Sequence, residues 1–314
     1  MLNNIIENNL SDVTIPEFEK IFASVGLKLT KFFKGDYTGY SDGLDSGNRG
    51  NAFEQYFIDN YTQKFEKDIQ KITGYKVLNN VIRDGGKNTK RPIKFSSDGI
   101  TFGNKPANSD KDPFDIGEDV SDVTVLSTDK GNIYLSLKYG STVTFINAGI
   151  KKYIPVEFFT EDSPLSPEGK ALLDMLCIDE DRLKNVFNNY KKDRSKGTRR
   201  KGRANKDNVD ITERLKSNTK FKNFMRSIMG YGYIMVHQVS GDDLEYIDLR
   251  TKKDMDHYIN DIRNAYVSYP VNGEAKRVDV IVEYDNIKFK LALRSKQGDV
   301  YPTHMMADYT FKKK

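Results

Sequence analysis

Between Phe53 and Ile72 the large apolar residues recur every three or four positions, whereas between Asp122 and Tyr139 they alternate with polar ones. That change of period sets what the chain can fold into. Phe53, Phe57, Tyr61, Phe65, Ile69 and Ile72 make one stripe on a helix from about Asn51 to Ile72, and such a stripe needs an apolar surface to lie on. Alternation supplies the surface. On "IYLSLKY" it puts Ile133, Leu135 and Leu137 on one face and Tyr134, Ser136 and Lys138 on the other. On "DVTVL" Val123 and Val125 oppose Asp122, Thr124 and Leu126. A helix layer over a sheet is an α/β protein.

The connection "STDKGN" is short and rich in turn formers, so the two strands are expected as antiparallel neighbours with Asp122 near Ser136 and Lys138. An acid and an amine then meet at one sheet edge. A carboxylate there can hold a divalent ion that lowers the pKa of an attacking water, and a lysine can stabilise a developing negative charge. Glu54 sits at the edge of the helical stripe, where a carboxylate can look into a cleft. Oxygen ligands of this kind suit Mg2+, or Mn2+.

"SDVTV", the turn, "IYLSLKYG" and "GNAFEQYF" together resemble the PD-(D/E)XK nuclease superfamily over roughly residues 50 to 155. The resemblance implies a restriction-endonuclease-like mixed central sheet flanked by helices. It also implies an Asp on the first hairpin strand, an acid-x-Lys on the second and a Glu from an earlier helix. Asp122, Lys138 and Glu54 match, while Ser136 stands where the second acid belongs. On this likeness the chain is a Mg2+-dependent DNA endonuclease, phage-encoded or restriction-like. Glu54 and Asp122 bind metal, Lys138 serves the attacking water, and Ser136 holds a water or metal-bound hydroxide. The alternative is a catalytically inactive nuclease-fold DNA-binding protein. Two active sites cut a duplex most simply, so a homodimer is a natural form.

Charge supports an anionic partner. The net charge is only +5, yet residues 191 to 206 carry nine Lys or Arg against one Asp. Arg199, Arg200, Lys201 and Arg203 are the expected DNA contacts of this linker. It separates a nuclease-like domain at 1–190 from a smaller α+β region at 211–314, the linker itself spanning 191–210. In that second region Arg294, Lys296 and Gln297 have the chemistry to read base edges or grip phosphates. The same pass predicts helices at 15–33, 140–154 and, as one unit, 211–229.

Other classes are disfavoured by what the chain contains. A lone cysteine, Cys177, forms no intrachain disulfide, and with three histidines it makes a poor zinc set. "MGYGY" lacks the lysine of a phosphate-binding loop. No run reaches the roughly 20 apolar residues of a membrane helix, and the first residues lack a signal-peptide pattern, so a soluble cytoplasmic protein is expected.

Overall fold

The computed structural model describes residues 46–76, 78–84, 93–96, 99–102, 115–127, 130–140, 143–195, 205–240, 243–271, 273–295 and 300–311. The expected helix at 15–33, the four linker basic residues Arg199, Arg200, Lys201 and Arg203, and Lys296 and Gln297 lie outside them.

The stripe folds as expected, with one addition. Helix α1 (Ser46–Asp59) passes through a π-helical turn, Tyr61–Phe65, into α2 (Glu66–Thr73). Phe53, Phe57, Tyr61, Phe65 and Ile69 are spaced by four, and in an α-helix each such step overshoots a full turn by about 40°. The wider π turn takes up that drift. All five rings and side chains are therefore buried on one side. Gly74, at φ 69°, ends α2 in the left-handed conformation that glycine adopts without a Cβ clash.

The strands are β1 (Leu78–Arg83), β2 (Ile93–Ser96), β3 (Gly99–Phe102), β4 (Val123–Ser127), β5 (Ile133–Tyr139), β6 (Val143–Gly149) and β7 (Lys206–Asp210). They continue with β8 (Tyr233–Ser240), β9 (Asp243–Leu249), β10 (Asn264–Pro270), β11 (Arg277–Glu283), β12 (Ile287–Arg294) and β13 (His304–Phe311). Helices α3 (Gly117–Val120), α4 (Glu157–Thr160), α5 (Pro167–Met175), α6 (Glu180–Ser195), α7 (Thr212–Lys216), α8 (Thr219–Met229) and α9 (Lys252–Ile259) lie between them. The fold is α/β, with a mixed five-stranded sheet ordered β1-β4-β5-β8-β9, a six-stranded sheet ordered β6-β13-β12-β11-β10-β7, and a β2-β3 pair. In the mixed sheet β5 and β8 run parallel and the other pairs antiparallel. Parallel neighbours need a crossover, and here the crossover contains β6, β7 and five helices, ending in α8.

Two cores result. Val123, Val125, Ile133, Leu135, Leu137, Ile234 and Val236 line one face of the mixed sheet and pack on the α1–α2 stripe. The opposite face, with Met235, Ile247 and Leu249, shares a second core with the apolar face of the six-stranded sheet. Tyr309 of β13 donates its hydroxyl to the Met235 sulfur at 2.6 Å across that core. Cys177 is buried in the same core, where desolvation raises its thiol pKa.

Two expected helices differ. Residues 143–149 form β6, because "VTFI" is β-branched and aromatic and β13, far along the chain, offers a partner edge. The helix at 211–229 is two, α7 and α8, broken where the Asn218 side chain accepts from Phe221 N at 3.0 Å as an N-cap. Strand pairing also crosses the 191–210 segment in both directions: β6 lies before it and pairs with β13, while β8 lies after it and pairs with β5.

Candidate active site

The hairpin brings its acid and amine together. Val123 faces Leu135 in the β4–β5 register, which sets Asp122 at the strand entrance beside Ser136. Asp122 N donates to Leu135 O at 2.8 Å, and the Asp122 carboxylate Oδ2 accepts from Leu137 N at 2.7 Å. Ser136 Oγ donates to the same oxygen at 3.2 Å, and Lys138 Nζ stands 3.6 Å from it. One oxygen is thus fixed by backbone, hydroxyl and ammonium. Among the described residues Oδ1 is left with no partner from the chain.

Ser136 is 3% exposed, and its hydroxyl is spent on Asp122. It orients the acid. Extra negative charge at this buried position would face Asp122 directly, and like charges so placed raise each other's pKa unless a cation lies between them. Ser136→Asp is therefore expected to lose about 1–3 kcal/mol of stability in chelator and to regain most of it in millimolar Mg2+, followed by thermal unfolding. A variant that unfolds identically with and without the ion places no cation beside Asp122.

Glu54 comes from α1, on the other side of the sheet, and reaches the end where β1 stops and β4 starts. Its Oε2 accepts from Arg83 Nη2 at 2.8 Å and Nε at 3.1 Å. Burial raises its pKa; the Arg83 hydrogen bond opposes this, the Asp122 charge raises it further, and Lys138 lowers it. Glu54 therefore shares an electrostatic environment with both hairpin residues. Its pairing with Arg83 was not expected. The signal was "VIRDGG", a strand ending in a charged pair before a turn.

Asp84, the next residue, was also missed. Its carboxylate accepts from Thr124 Oγ1 at 2.8 Å and from Ser121 Oγ, and its N–H donates to Asp122 O at 3.1 Å. It fixes the backbone entering Asp122. Upstream, Gly117 packs so closely on Gly232 that a Cβ at Gly117 would lie 2.2 Å from Gly232 O. That contact ties the approach to β4 to the start of β8. Asp115 forms a bridge to Tyr231 in the same contact, and Glu118 and Asp119 sit on α3.

On the neighbouring strand His237 faces Lys138. Its Nε2 lies 2.8 Å from Gly140 O, and since a carbonyl only accepts, Nε2 carries the proton. This bond secures the chain just beyond Lys138. Arg294 lies at the end of β12, in the other sheet.

Among the described residues no group of three or more His, Cys, Asp or Glu is placed to hold a metal. Beside Asp84, which is engaged by Ser121 and Thr124, the described residues at this sheet end offer Asp122 and Glu54, each with one oxygen engaged by protein. Mg2+ commonly takes one or two carboxylates and completes its shell with water and substrate phosphate, so this donor set fits it. No helix of the described residues is long and apolar enough to cross a membrane. Compared with protein-family models, curated proteins and solved structures, the chain matches none of them.

Proposed function

We propose that this chain is a divalent-metal-dependent deoxyribonuclease with a restriction-endonuclease-like core, cutting phosphodiester bonds internally. The observation that carries the reading is the pairing of Asp122 with Lys138, with Glu54 of the covering helix held by Arg83 where β1 meets the start of β4. A covering helix over antiparallel β1, β4 and β5, with β8 parallel to β5, is compatible with that core, although here the crossover from β5 to β8 also carries β6, β7 and five helices.

Asp122 and Glu54 would hold the Mg2+, which when bound would lower the pKa of water and neutralise phosphate charge. Asp122 presents Oδ1 because Leu137 N and Ser136 Oγ fix Oδ2. Lys138, on the strand face beside Ser136, orients the attacking water and offsets charge on the phosphate as it gains a bond. Arg83 keeps Glu54 from swinging into solvent.

Plasmid incubated with purified protein is expected to be nicked or linearised with Mg2+ or Mn2+ and to stay intact in excess chelator. Glu54 must be ionised to bind the ion, and burial raises its pKa in the metal-free protein, so at sub-saturating Mg2+ activity falls as pH drops through a value above that of an ordinary glutamate, and added Mg2+ moves the fall to lower pH. Cleavage undiminished by chelator would overturn the mechanism.

A further inference from the structure

The six-stranded sheet turns one face to the shared core and the other away from it. On the outer face the register sets Arg277 opposite Arg294 and Arg294 opposite His304, with Gly149 next. Lys206 opens β7 at the same end and joins Arg277 on the Asp279 carboxylate, with contacts of 3.0 Å and 2.6 Å. Lys151 and Lys152, both exposed, follow β6 there, and Lys276 precedes β11. The end of α6 arrives at the same place, Lys191 lying 5.7 Å from the Tyr301 ring centroid.

Several separate stretches thus deliver cations to one rim. The acids described alongside them are already committed: Asp279 is 2% exposed beneath Lys206 and Arg277, Glu274 accepts from Asn205 N, and Asp207 pairs with Arg182. Arg277 and Arg294 face each other across strands, which is unfavourable. Lys206 and Arg277 share the single carboxylate of Asp279, so together with Arg294 they keep a net positive charge that an anion laid alongside offsets. Six strands at about 4.8 Å spacing make the rim roughly 24 Å long, too long for one small anion to cover. A chain of regularly spaced phosphates fits it.

We propose that this rim binds the phosphate backbone of duplex nucleic acid at a place apart from the hairpin. Seven residues of β6, a chain length of roughly 20 Å at about 3.3 Å per residue, lead from it back toward β5. The rim and the hairpin belong to different sheets. The rim shares with the nuclease reading only the class of partner.

The test is a titration of the full chain with a fluorescent duplex, in chelator, at several KCl concentrations. Lys151→Gln, Lys152→Gln and Arg294→Gln combined should flatten the dependence of log affinity on log salt by about 2–3, since each phosphate contact contributes roughly 0.9. The charge-conserving set Lys151→Arg, Lys152→Arg and Arg294→Lys should keep the parental slope. On the parent protein, amine-reactive labelling of Lys151, Lys152 and Lys276 should be blocked by duplex, while Lys288, at the other end of the sheet, stays reactive. An unchanged slope in the neutral set, or no protection on the parent, overturns the proposal. So does equal competition by polyglutamate, which indicates an acidic protein partner, or by phosphatidylserine vesicles, which indicates a membrane surface. No bond is cut in chelator, so this outcome is independent of whether the hairpin cleaves.

Discussion

Asp122→Asn is expected to lower plasmid cleavage at least about 100-fold while leaving stability within about 1 kcal/mol of the parent. The amide keeps a carbonyl oxygen that accepts from Leu137 N, so the hairpin holds its shape. What it loses is charge, and with it the pull on a divalent ion. The ion pair with Lys138 is partly exposed at 3.6 Å, so its removal costs little folding energy. Lys138→Ala should show the same separation of activity from stability. Lys138→Arg should recover little, because a planar guanidinium does not replace a compact ammonium. If Asp122→Asn and Lys138→Ala both cut like the parent, acid and lysine are a surface pair and the nuclease reading fails.

Phe57→Ala should produce the largest loss of stability, about 3–5 kcal/mol in denaturant unfolding. Phe57 is fully buried, stacks on Phe65 at 4.4 Å and 11° between planes, and meets Phe53 and Tyr61 at ring distances of 6.4 and 5.9 Å. Its removal leaves a hole between α1 and the mixed sheet that fixed backbone cannot close. Glu54 rides on the same helix, so cleavage should fall at lower temperature than in the parent. A cost below about 1 kcal/mol would mean that the stripe is not the packed seam the ring geometry describes.

Local pattern carried the helix stripe, the hairpin and the meeting of Asp122 with Lys138, because each depends on residues within about 20 positions and on a fixed period. The strand identity of β6 was hidden by distance. "GSTVTFINAG" accepts either conformation until β13, more than 150 residues later, supplies its hydrogen-bonding edge. The same distance concealed the interweaving of the two sheets. At the site, Glu54 was visible beside its stripe, but its Arg83 partner depended on how β1 crosses the helix. The rim was invisible for a like reason: Lys151, Lys206, Arg277 and Arg294 are neighbours only through strand order.

The placement of β13 has a consequence for how the molecule is made. It sits between β6 and β12, so the six-stranded sheet stays in two pieces until the stretch around His304–Phe311 has left the ribosome. Until then β6 has neither edge paired in that sheet and Met235 lacks the tyrosine above it. A chain interrupted before His304 can build the α1–α2 layer and the hairpin, yet it exposes apolar surface on the opposite face of the mixed sheet. Chains stopped before His304 are therefore expected to aggregate more readily than the full chain, as light scattering during refolding would show.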